Sequence, residues 1–135
     1  MRVLVIGAGQ MGGGIAHVCA AAGHDVLLND VSDDAVQRGV DVIANNLRRA
    51  VSKGKLTKDQ ADATLSRVRG HLDLAKPSDV SIAIEAASED EQLKKRIFTT
   101  LDAATPPDAI LASNTSSISI TTLGAVTKRP ERVIG

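Results

Sequence analysis

Three glycines in Gly7-Ala8-Gly9-Gln10-Met11-Gly12 sit at the spacing that lets a backbone close on an anion. Gly7 permits a tight turn, Gly9 leaves no side chain in the path of a pyrophosphate, and Gly12 lets the following helix pack closely on the preceding strand. The helix N-terminus then offers free N–H groups to the negative charge. Such a loop alone is weak evidence. Here an apolar strand candidate, Arg2 to Ile6, precedes it, a helix candidate follows it, and Asp30 stands 18 residues after Gly12 at the end of the next strand candidate. That context is the fingerprint of a dinucleotide site. The Asp30 carboxylate can accept hydrogen bonds from both hydroxyls of an adenosine ribose and would repel a 2′-phosphate. Val31, Ser32, Asp33 and Asp34 supply no cation to receive one. The pattern selects NAD over NADP.

A second feature is electrostatic. Arg48, Arg49, Lys53, Lys55 and Lys58 put five positive charges into 11 residues with no acid among them. The chain as a whole balances 16 basic against 16 acidic residues, so the remainder carries five net negative charges. Two readings stand side by side: a solvated face whose cations suit a helix C-terminus, or a site for a phosphorylated ligand other than the dinucleotide. Ser113-Asn114-Thr115-Ser116-Ser117 is a polar run after a strand candidate. It reads either as a turn bonding to its own backbone or as ligand-facing, because open α/β sheets bind at strand carboxyl ends. His17, His24 and His71 fall on a helix, in a turn and at a strand start, where each reads as structural or surface. Cys19 reads as a small packed residue, and no cluster has metal-ligand spacing.

These groups must be held by a regular alternation. Strands are expected at Arg2–Ile6, Asp25–Asn29, Asp79–Ala87 and Ala109–Ser113, with a short one at His71–Leu74 and a last one from Arg132 to Ile134. Val80, Ile82 and Ile84 are expected on one face. Helices are expected at Met11–Ala22, from Ser32 or Asp33 to about Ser52, from Thr57 to about Val68, over Glu89–Ala104 and over Ser119–Val126. The long second helix follows from Val36, Val40, Ile43, Leu47 and Val51 at three- and four-residue steps. The third follows from the capping-box spacing of Thr57 and Gln60. Alternating strands and helices specify an α/β fold, a doubly wound, mostly parallel sheet of the Rossmann kind with a helical hairpin after the second strand.

The composition removes other classes. At 135 residues the chain is one domain, and 43% hydrophobic with 24% charged residues is a globular balance. Phe98 is the only aromatic residue, so base-stacking platforms and aromatic cages are excluded. Zero net charge argues against a nucleic-acid partner. One cysteine permits no intrachain disulfide and fits a reducing, cytoplasmic setting. No apolar run reaches membrane-span length.

Beyond these readings, several segments resemble the 3-hydroxyacyl-CoA dehydrogenase family, in particular its bacterial 3-hydroxybutyryl-CoA members. They are the glycine loop extended to Ala16, Lys53-Gly54-Lys55-Leu56-Thr57, Ile84-Glu85-Ala86, Leu93-Lys94-Lys95, Asn114-Thr115-Ser116-Ser117 and Arg129 to Gly135. The resemblance implies that Gly7, Ala8, Gly9, Gln10, Met11 and Gly12 face the NAD pyrophosphate and Asp30 the adenosine ribose. It also implies that Glu89 and Lys94 touch NAD, that Asn46 and Lys53 touch coenzyme A, and that Ser116 lies between the nicotinamide and the substrate's 3-oxygen. Asn46 departs from the serine common there. The resemblance favours the phosphate reading of the basic cluster. It implies an acyl-CoA partner, residues 1–135 as the NAD-binding domain, a catalytic histidine in a His-Phe-Phe-Asn-Pro segment that would follow the last strand beyond Gly135, and a helical C-terminal domain outside these residues that carries the homodimer contact. The competing expectation is a stand-alone NAD-binding or redox-sensing module.

Overall fold

The computed structural model describes residues 1–135. Strands β1 (Arg2–Ile6), β2 (Asp25–Asn29), β3 (Val68–Gly70), β4 (Ile82–Glu85), β5 (Ile110–Ser113) and β6 (Val133–Ile134) form one sheet in the order β3-β2-β1-β4-β5-β6. Every adjacent pair is parallel. The connections run through helices α1 (Gln10–Ala21), α2 (Asp33–Ser52), α3 (Lys58–Ser66), α4 (Glu91–Ala104) and α5 (Ile120–Ala125), and β3 passes to β4 through residues 71–81 with no helix. This is the doubly wound sheet expected, with the α2–α3 hairpin after β2.

Both faces of β1 are covered, which is why its sequence is continuously apolar rather than alternating. Val3 and Val5 join Val26, Leu28, Ala16 and Ile43 in a core beneath α1 and α2. Leu4 and Ile6 join Ala83, Leu111, Phe98 and Leu101 in a second core beneath α4 and α5. The long helix is N-capped by Ser32, whose side chain accepts from the Ala35 N–H. Thr57 and Gln60 form the reciprocal capping box that opens α3, at 3.1 and 2.9 Å. Gly39 lets α2 cross the glycine loop at close range: a Cβ there would lie 2.8 Å from the Ala8 carbonyl oxygen.

The structure corrects several element bounds. The third helix stops at Ser66 rather than Val68, because the Arg67 carbonyl accepts from Val26 N–H and Val68 pairs with Val26 as β3. Residues 71–74 are therefore not a strand; the carbonyls of His71 and Leu72 accept from the buried Asn29 side chain at 2.8 and 2.9 Å. Val80 lies ahead of β4 and packs in the α4-side core, whereas Ile82 and Ile84 pack on the α1 side, so the three do not share a face. The fourth helix starts at Glu91 behind an Asp90 cap, which leaves Glu89 in the preceding loop. A 3-10 turn, Pro130–Arg132, occupies the approach to β6. Ahead of it the buried Arg129 bonds to Asp102 at 2.8 Å and to the carbonyls of Pro106 and Ala109, tying the end of α4 to the last strands.

Candidate functional site: the carboxyl edge of the sheet

The glycine loop leaves β1 through Gly7 at φ +103°, a conformation that side chains rarely adopt, and a Cβ there would lie 2.6 Å from the Ala86 carbonyl oxygen. Gly12 is tighter still: its Cβ would stand 1.6 Å from the Gly7 carbonyl oxygen. Gly9 differs in kind. It is exposed, it caps α1 with no side-chain bond, and a Cβ added to it meets no atom within 4 Å. Its bareness answers to nothing inside the protein, which is what a cradle for an outside group requires. Gly7 and Ala8 are buried, and Gly9, Gln10 and Met11 face solvent at the start of α1.

Asp30 follows β2 directly. Its Oδ2 accepts from the Ala8 N–H at 2.8 Å and its Oδ1 from the Val31 N–H at 2.7 Å. Each oxygen keeps a further lone pair, so Asp30 both holds the glycine loop and can accept from a ligand's hydroxyls. Beside it lies an apolar hollow of about 310 Å³, lined among others by Ile6, Val31, Leu72, Leu74, Ala87 and Leu93. Its apolar lining suits a flat ring attached to a ribose.

Across the switch point, β4 and β5 end in a closed polar cluster. Glu85 is fully buried, with Oε1 accepting from the Ser113 hydroxyl at 2.6 Å and Oε2 from the Ala87 N–H at 2.7 Å. Lys94 Nζ is fully buried 2.5 Å from Glu85 Oε2, and also donates to the Ala87 carbonyl at 3.1 Å. Glu89 Oε1 is 3.3 Å from the same nitrogen. Glu89 Oε2 accepts from the hydroxyls of Ser117 and Thr115. Those two hydroxyls, Ser117 first, hold the Glu89 carboxyl below the usual carboxylate range; Lys94 adds to the effect and partial desolvation opposes it. Ser116 is exposed between the two pinned residues, and Asn114 is exposed beside it, its N–H donating to the Glu85 carbonyl.

In the sequence Lys94 reads as a ligand contact or an exposed helix charge, and the structure places it inside. The pairing role of Glu85 was missed. The available signal was one acid closing the apolar run Ile82-Ala83-Ile84, with a lysine nine residues on.

Asn46 and Lys53 are exposed two turns apart, on α2 and at its C-cap, and Asn46 Oδ1 accepts from Arg49 at 3.1 Å. None of the five clustered cations makes a salt bridge. Asn46 also borders a groove of about 520 Å³ between α1 and α2, with His17, Arg38 and Gly14. The histidines are scattered. His17 is in that groove, His24 precedes β2 at the sheet's opposite edge, and His71 follows β3, which β2, β1 and β4 separate from β5. Burial pushes the Cys19 thiol up, as suits a packed residue.

A parallel sheet ordered 3-2-1-4-5-6, with a glycine loop after β1 and an acid after β2, defines a dinucleotide-binding domain. The chain belongs to the family "3-hydroxyacyl-CoA dehydrogenase, NAD binding domain", which matches residues 2–135. It is 52% identical over 134 residues to a 3-hydroxybutyryl-CoA dehydrogenase of Bradyrhizobium diazoefficiens, covering 99% of this chain and 46% of that protein. A crystal structure of 3-hydroxybutyryl-CoA dehydrogenase from Escherichia coli superposes with a TM-score of 0.95 at 45% identity, over 98% of this chain and 28% of the other. The (S)-3-hydroxybutyryl-CoA dehydrogenase from Ralstonia eutropha gives a TM-score of 0.93 at 44% identity, over 98% and 47%. The chain spans less than half the length of these relatives. No helix is long and apolar enough to cross a membrane.

Proposed function

We propose that this chain is the cofactor-holding part of an oxidoreductase that moves a hydride between NAD and a 3-hydroxyacyl-CoA, 3-hydroxybutyryl-CoA in particular. The observation that carries the reading is the exposed Ser116, on a loop tied to Glu89, at the same sheet edge as the glycine loop. Gly7, Ala8, Gly9, Gln10, Met11 and Gly12 surround the pyrophosphate, Asp30 takes the adenosine ribose, and Glu89, held from beneath by the buried Lys94, serves the nicotinamide side. Ser116 hydrogen-bonds the substrate's 3-oxygen. Asn46 and Lys53 meet coenzyme A, whose phosphates suit the unpaired cations around them.

Oxidising the 3-hydroxyl sends its C–H hydride to the nicotinamide and its O–H proton to a base. His17, His24 and His71 all lie away from Ser116, so none of them fills that role. The 135-residue chain is therefore expected to bind NAD and coenzyme A yet to oxidise 3-hydroxybutyryl-CoA at least about 100-fold more slowly than a family enzyme, the usual contribution of a general base. Calorimetric titration with coenzyme A tests the substrate class. Binding that Lys53→Ala weakens supports it, whereas no response to coenzyme A favours a stand-alone NAD module.

Asp30→Ala removes a charged acceptor from the ribose and lowers NAD affinity by about tenfold or more. NADP, no longer repelled, should lose far less. Equal losses for the two cofactors in a titration would remove Asp30 from this role.

A further inference from the structure

The best-buried charges in the molecule sit at its ligand-binding edge. Glu85 and Lys94 are both fully buried, and a buried ion pair is a poor device for stability alone, since apolar side chains of similar volume often do as well. The lysine of this pair is also fully spent. The three Lys94 N–H donors face Glu85, the Ala87 carbonyl and Glu89. The Glu85 oxygens accept from Lys94, the Ala87 N–H and Ser113. Glu85 and Ser113 are register partners on β4 and β5, so their bond sets the spacing of the two loops that leave those strands. In the chain from Ser113 through Glu85 and Lys94 to Glu89, only Glu89 reaches solvent, with 44% of its side chain exposed. Glu89 in turn pins Thr115 and Ser117 on either side of Ser116.

We propose that Glu85 is a positioning residue for the nicotinamide half of the cofactor: from beneath α4 it fixes Lys94 and Ser113, and through them the Glu89 carboxylate and the Ser116 loop. The strand order sets most of this apart from adenosine binding, the shared residue being Ala87, which borders the hollow beside Asp30 and whose N–H a glutamine at position 85 could still bond. Asp30 and the glycine loop belong to the β1–β2 half of the sheet, and Glu85 and its partners to the β4–β5 half.

The separation supplies the test. ADP carries the adenosine and pyrophosphate but no nicotinamide, so NAD and ADP titrated into the same variant report the two halves independently. Glu85→Gln keeps the side chain's shape and removes its charge. NAD affinity is expected to fall about tenfold, the weight of a charge-assisted bond, with ADP affinity kept within about twofold. Should that variant fail to fold, Ser113→Ala removes one anchor without touching a charge, and is expected to weaken NAD about threefold with ADP unchanged. Parallel loss of NAD and ADP would make Glu85 a structural residue only. Unchanged NAD affinity, or a wild-type chain that binds ADP as tightly as NAD, would equally overturn the proposal.

Discussion

Lys94→Met is expected to cost about 3–5 kcal/mol of folding stability, a large share of the 5–15 kcal/mol typical of a domain. The reason is what it leaves behind. Glu85 would keep its bonds from Ser113 and the Ala87 N–H but lose the cation 2.5 Å away, in a position with no access to solvent. Methionine fills the volume and carries no charge, so the loss measures the uncompensated carboxylate rather than a cavity. The neighbouring lysine is the control. Lys95 reaches Glu91 at 3.6 Å on the surface of the same helix, and Lys95→Met should change stability by less than about 0.5 kcal/mol. Urea unfolding followed by circular dichroism compares the two; a loss below about 1 kcal/mol at Lys94 would contradict the picture of a fully desolvated pair.

Two glycines of one loop should fail in different ways. Gly12→Ala drives a methyl group to 1.6 Å from the Gly7 carbonyl oxygen, and backbone cannot yield as a flexible side chain would. The loop must open, so the melting temperature and NAD binding fall together. Affinity should drop by about 100-fold if two charge-assisted bonds to the pyrophosphate are lost. Gly9→Ala places its methyl group in open space as far as the protein is concerned. The helix start is kept and the melting temperature should hold, while the methyl group blocks the path of the pyrophosphate. A Gly9→Ala chain that binds NAD normally would show that the dinucleotide does not cross this point of the loop.

That contrast marks how far a sequence reaches. The loop, its acidic partner, the long amphipathic α2 and the Thr57 capping box were legible because each depends on residues within a few positions of one another, and local spacing is what a sequence displays. The β3 bounds were not. Whether Val68 ends a helix or begins a strand depends on an open ladder position beside Val26, 42 residues earlier. The face that Val80 takes is hidden for a similar reason: strict alternation holds only inside the strand, and β4 begins after it.

By itself the sequence determined the fold class and the cofactor, because strand–loop–helix patterning and the acid after β2 act locally, and the family through the resemblance of whole segments. Only the tertiary structure decided that Lys94 is an interior cation, that Glu85 and Ser113 are its anchors, and that Glu89 holds both neighbours of Ser116. A side chain's charge is written in the sequence, whereas its desolvation and its partners exist only once β4, β5 and α4 are brought together. For buried charges those two quantities set the energy.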